Sequence, residues 1–214
     1  MKIPTERYLD QRKVWPSSGR HILAHFDAGT IIVYQAYSHA IGSFAALHGY
    51  FGGEFSYSRM SWIKPNFLWM MYRSNWGRSV GQEIVLAIRL RRTFFDSLLE
   101  QSVPSSFDQT NFTSQVDWKT AVGQSHVRVQ WDPDHLPNGA KEERRAIQLG
   151  LRGATLEAYG TREIVEIIDM SDFVASHRDN AVSENFDKLI TPAERVYRPL
   201  PEDVGQRIGL DAER

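Results

Sequence analysis

The chain of 214 residues contains no cysteine. That absence excludes disulfides, thiol nucleophiles and thiolate metal sites, and it suits a reducing cytoplasm. No apolar run approaches the length of a membrane span. The opening stretch MKIPTERYLDQRKVW lacks the apolar centre of a signal peptide, so the expectation is a cytoplasmic protein with no membrane partner. The sequence has neither a glycine-rich phosphate loop nor GxGxxG, which disfavours Walker-type and Rossmann-type nucleotide binding. It has no GxSxG elbow either, and its seven histidines are scattered, which leaves Ser–His–Asp catalysis little support.

Acidic residues are missing from one long stretch. Between Glu54 and Glu83 there is none, and from Arg59 to Arg92 seven cations face Glu83 alone. The chain as a whole carries a net charge of -1, which argues against a generic nucleic-acid coat but leaves room for a local basic site. Within this stretch, FSYSRMSWIKPNFLWMMYRSNW (Phe55 to Trp76) mixes Tyr57, Trp62, Phe67, Trp69, Tyr72 and Trp76 with Arg59, Lys64 and Arg73. Apolar cores do not need cations, and solvated faces do not need tryptophans. The combination suits a pocket for a flat anionic ligand, with rings to stack on and charge for phosphates. A buried helix with basic residues at its ends would account for it equally well.

Hydrophobic content of 42% and charged content of 24% fit one ordinary domain, with a core over about residues 20–175 and a polar C-terminal extension from about 183 to 214. TIIVYQAY (Thr30 to Tyr37) predicts a central strand, and Ser38 caps a short helix over His39 to His48. Phe55 to Ser58 predicts a second short strand. Pro65 opens a helix from about Asn66 to Ser74, which is apolar nearly all round and therefore buried. Further strands are expected over Glu83 to Leu90, Ser125 to Trp131, Ala146 to Leu151 and Glu163 to Asp169. Short helices are expected from Thr93 to about Gln101, over Ala154 to Tyr159, and from Ser171 or Asp172. Residues 102–124 read as a long surface connection or lid, and Asp132 to Gly139 as a turn-rich loop. Strands and helices do not alternate regularly, so the fold class is α+β around a split, largely antiparallel sheet.

Several groups are candidates for chemistry. Lys64 before Pro65 sets a cation at a helix N-terminus, a natural anion site, with Arg59 upstream. Trp62 is placed to stack on a base. Gln35 and Tyr37 share one face of their strand and can orient an amide, or simply form a cross-strand pair. Glu163 and Glu166 are candidates for an acid projecting into a cleft, although their spacing sends them to opposite faces. Asp132, Asp134 and His135 lie where Asp is favoured for turn formation, without a second ligand cluster, so no metal site is expected. Arg73, Arg89, Arg91 and Arg92 offer a local basic surface for nucleic acid.

VYQAYS (Val33 to Ser38), RMSWIKPNFLWMMYRSNW (Arg59 to Trp76), VRVQWDP (Val127 to Pro133) and AIQLGL (Ala146 to Leu151) resemble the family catalogued as domain of unknown function 4291, over roughly residues 20–175. The order of elements more distantly resembles ADP-ribosyltransferases of the DNA-modifying toxin type. That resemblance implies NAD, a dinucleotide, as substrate and a nucleic acid or other molecule as acceptor. It places Gln35 on the nicotinamide-side ribose, where those enzymes usually carry His. It makes Arg59 the NAD-contacting arginine, puts Trp62 and Tyr37 around the nicotinamide, and sets Arg59 and Lys64 on the pyrophosphate. Glu163 would be the catalytic glutamate, with Glu157 and Glu166 as alternatives. The toxins' Arg–Ser–Pro order is not reproduced here. A non-catalytic module that binds a nucleotide or single-stranded nucleic acid explains the same rings and cations without any glutamate.

Overall fold

The computed structural model of the chain describes residues 3–107, 109, 111–200 and 202–212. Its centre is a three-stranded antiparallel sheet in the order Ile164–Asp169, Ile84–Arg91, Thr30–Tyr37. A second sheet is built on the antiparallel pair Val127–His135 and Lys141–Leu151. Gly19–Arg20 and Ser61–Ile63 add to one edge of that pair, and Val103–Pro104 adds to the other. Helices and mostly antiparallel sheets are mixed along the chain, which makes the fold α+β as expected.

The alternation of Thr30–Tyr37 feeds two cores. Ile31 and Val33 point into the space between the sheets, with Leu86, Ile88, Val127, Val129, Ile147 and Leu149. Ile32 and Tyr34 point to the opposite face, where helix Phe67–Ser74 covers them with Phe67, Leu68, Met70 and Met71. A strand buried on both faces reads as a continuous apolar run, which is what the sequence shows here. The helix is apolar nearly all round because the sheet, the C-terminal segment and the Val127–His135 strand all reach it. Trp69 and Trp76 are buried with it, so these two tryptophans are structural.

Several boundaries differ from expectation. Phe55 to Ser58 is not a strand; the extended residues are Ser61–Ile63, which find a partner in Leu149–Leu151. Asp132 to His135 continue their strand instead of turning, since Asp132 stays in register with Ala146 and His135 with Lys141. Within 102–124, residues Gln115–Gln124 form a helix whose Ser114 hydroxyl caps the Asp117 amide. The C-terminal segment is part of the core. Arg195–Tyr197 pairs with Ile22–Ala24 and Ile190–Pro192 with Thr5–Arg7.

Glu194 is the reason this tail matters. Its buried carboxylate accepts the Phe67 amide at 2.7 Å and an Asn66 Nδ2 hydrogen at 3.3 Å. Its carbonyl accepts from Trp15 Nε1 at 2.8 Å, and its amide donates to Gln11 Oε1 at 2.7 Å. Burial raises its pKa well above the usual carboxylate value, against the Phe67 hydrogen bond that pulls it down. Glu194→Ala leaves the Phe67 amide and the Asn66 side chain without this acceptor. Its expected cost is roughly 1–3 kcal/mol, read as a lower urea midpoint at unchanged slope.

Candidate functional site

Ser61–Ile63 lies antiparallel to Leu149–Leu151, with Trp62 opposite Gly150. A Cβ on Gly150 would sit 2.7 Å from Met60 Sδ and 3.0 Å from Trp62 Cζ2, so glycine lets the indole lie down on the neighbouring strand. One residue later the chain changes sheets. The Tyr34 amide donates to the Lys64 carbonyl at 2.7 Å, and the Lys64 amide donates to the Tyr34 carbonyl at 3.3 Å. Side chains two apart share a face, and Trp62 and Lys64 both border the same cavity, of about 200 Å³.

Gln35 fixes that wall. Tyr159 donates to its Oε1 at 2.5 Å, while its Nε2 donates to Ser61 Oγ at 2.9 Å and to the Trp62 carbonyl at 3.0 Å. Tyr37 completes the chain, its hydroxyl 2.8 Å from Ser61 Oγ. Burial pushes the Tyr37 phenol upward, so it stays protonated and able to donate. Its ring meets Phe51 and Phe55 edge-on, with centroids 5.5 and 5.8 Å away. Tyr37 is therefore held as part of the wall, and Trp62, only partly buried, is the ring at the cavity rim.

The cations are less constrained. Lys64 is 6% exposed, and among the described residues its ammonium forms no hydrogen bond or ion pair. Burial, followed by the charge of Arg73, lowers its pKa from 10.5 to about 8, against the opposing pull of Asp132. Asp132 is occupied elsewhere, by Gln130 Nε2 at 2.8 Å and Gln148 Nε2 at 2.5 Å. Arg73, in the last turn of helix Phe67–Ser74, is exposed and also lines the cavity. The described lining thus holds two cations, a Ser hydroxyl, two Gln amides and a phenol, and no carboxylate.

Other expected groups lie elsewhere. The helix N-terminus that Lys64 was expected to share with a phosphate is already filled. Glu194 takes the Phe67 amide, and Asn66 Oδ1 takes the Trp69 amide at 2.7 Å. Arg59 is exposed and is not among the lining residues. Glu163 pairs with Arg91 at 3.3 Å and Arg162 at 3.1 Å. Register sets Gln35 opposite Leu86 and Thr30 opposite Arg91, so Glu163 sits at the far end of the sheet, roughly 17 Å from Gln35 at about 3.4 Å per residue. Glu166 pairs with Arg89 at 3.2 Å, and Glu157 is exposed on helix Gly153–Gly160.

The four arginines do not form one surface. Arg89 is buried against Glu166 and Asp27. Arg91 is tied to Glu163, and Arg92 lies over Phe26 and Tyr197 while donating to the Tyr197 hydroxyl at 3.1 Å. Arg73 alone among them borders the cavity. Ser61, Gln82 and Met60 also line it and carried no individual signal in the sequence. Tyr159 and Glu194 carried none either, since a tyrosine in a short helix and a glutamate in a polar tail are both commonplace. A larger cavity of about 680 Å³ is lined by Trp15, His21 and Asp211 among others, and its described lining holds no Lys or Arg.

The depressed Lys64 pKa fixes a sign. Between pH 8 and 10.5 the unfolded chain holds a proton that the folded chain has released, so stability rises with pH across that window. At pH 7 the buried charge is a burden of up to about 3 kcal/mol. Lys64→Met is expected to raise stability at pH 7 by up to that amount, with the gain fading by pH 10.5, as checked by urea melts at both pH values.

Among the described residues no helix is long and apolar enough to cross a membrane. No curated protein matches the chain. The model of the family described as Domain of unknown function (DUF4291) matches residues 21–197, a span that holds the central sheet, all of the second sheet except Gly19–Arg20, the Ser61–Lys64 crossing and Glu194, and the chain belongs to that family.

Proposed function

We propose that this protein binds a phosphate-bearing nucleotide, with NAD the first candidate, and seats one anionic group in the cavity between Lys64 and Arg73. The observation that carries this reading is Lys64, 6% exposed at a cavity wall, its ammonium without a counter-ion among the described residues. A buried unpaired charge is costly unless something pairs with it, and an incoming phosphate does so. Trp62 at the rim offers a face for a base or nicotinamide. A volume of about 200 Å³ is below the usual range for a whole drug-sized ligand. The cavity would take one end of a dinucleotide, and the remainder would lie outside it.

Binding without transfer is the reading that the geometry supports best. ADP-ribose transfer calls for an acid beside the breaking glycosidic bond, and Glu157, Glu163 and Glu166 are absent from the lining. Calorimetry with NAD, ADP-ribose and ADP tests the proposal. Lys64→Ala and Arg73→Ala are each expected to weaken binding at least tenfold, about 1.4 kcal/mol, while Glu163→Gln leaves it unchanged. No heat from any of the three at millimolar concentration would sink the reading. Transfer of labelled ADP-ribose to nucleic acid or protein, lost in Glu163→Gln, would restore the transferase in its place.

A further inference from the structure

We propose that Lys64 forms a reversible imine with a short-chain aldehyde phosphate, the phosphate being held by Arg73. This deepens the ligand site proposed above and rests on the same cavity. Lysine is the telling choice. An arginine there would keep its charge whatever its burial, whereas a desolvated lysine gives up its proton and becomes an amine nucleophile. A pKa of about 8 instead of 10.5 raises the neutral fraction at pH 7 roughly 300-fold. No carboxylate in the described lining is there to hold the ammonium form. The volume of about 200 Å³ corresponds to roughly seven waters at ~30 Å³ each, which suits a three-carbon chain bearing one phosphate.

The wall supplies a proton donor. Ser61 Oγ accepts from Gln35 Nε2, and when Tyr37 also donates to it, the serine hydrogen is left to face the cavity. The neutral amine attacks the carbonyl carbon and a C–N bond forms. The carbonyl π pair moves to oxygen, which takes a proton from the Ser61 side as the nitrogen releases one. The carbinolamine then loses its oxygen as water with a second proton, leaving C=N. One amine and one aldehyde give one imine and one water, and no electron acceptor is required.

The test uses the intact chain with glyceraldehyde 3-phosphate and cyanoborohydride, which reduces the imine to a stable amine located by peptide mapping. At pH 7, Lys64 is expected to be modified at least tenfold faster than the exposed Lys13, Lys119, Lys141 and Lys188. Inorganic phosphate should slow it, and Arg73→Ala should slow it tenfold with this aldehyde but not with propionaldehyde. The rate should climb with pH and level off near 8. Equal labelling of all the lysines, or labelling at Lys64 that ignores both phosphate and Arg73→Ala, overturns the proposal. Lys64→Arg should abolish the adduct; if that variant does not fold, mapping and phosphate protection of the unaltered protein decide the matter. Nucleotide heat without trapping removes the imine and leaves the binding function standing. Trapping without nucleotide heat does the reverse.

Discussion

The paired backbone hydrogen bonds between Tyr34 and Lys64 are the constraint on which the rest of this structure depends. Ser61–Ile63 belongs to the second sheet, and one residue later Lys64 belongs to the edge of the first. Three consequences follow from a chain that changes sheets within four residues. The two sheets are held at a fixed separation, so the core between them closes over Ile63. The Lys64 side chain is carried to the cavity wall beside Trp62, with 6% of the residue exposed. Helix Phe67–Ser74 must start immediately afterwards, which brings its N-terminus to Glu194.

Polar groups at this crossing are of two kinds. Gln35, Glu194, Asn66 and Asp132 are buried or partly buried and have their hydrogen bonds made within the protein. The Asp134–Arg144 pair is of the same kind, with Nη2 2.6 Å from Oδ2. Groups so satisfied specify a unique arrangement and are not available to a ligand. Lys64 is of the other kind, a cation with no ion pair among the described residues; Arg73 shares that lack, and among the same residues the buried Tyr34 hydroxyl and Trp69 Nε1 also have no hydrogen-bond partner. An unpaired cation so little exposed carries a desolvation cost that a bound anion would offset, which is the physical basis of the binding proposed for this cavity.

The fold was legible where a pattern is local. Thr30–Tyr37, His39–His48 and Phe67–Ser74 could be read from β-branching, a glycine stop and a Pro–Asn start, since each signal lies within the element. The strand over Asp132 to His135 could not, because Asp, Pro and His say turn, and only cross-strand register with Lys141–Leu151 overrides them. The site was half legible for the same reason. Gln35 stood out as an amide on an apolar strand, and Lys64 as a cation beside tryptophan and proline. Nothing local could tell that Glu194, far along the chain, would fill the helix N-terminus expected to hold a phosphate.

The arginine-rich run after Glu83 shows why charge counted along a sequence misleads. Its surplus is real, yet the antiparallel pairing of Ile84–Arg91 with Ile164–Asp169 brings Glu163 and Glu166 onto Arg91 and Arg89. Acids some seventy residues away in the chain thus neutralise the cations that looked free. Arg73 and Lys64 escape because their own segment, Ser61 to Gln82, contains no acid, and Asp132, whose charge acts on Lys64, accepts hydrogen bonds from Gln130 and Gln148. The acid-free stretch therefore keeps its surplus at one end only, in a small hollow bordered by Lys64, Arg73 and Trp62. The pairing that holds Glu163 against Arg91 keeps that carboxylate out of the described lining of this hollow, so Lys64 and Arg73 face no acid within it.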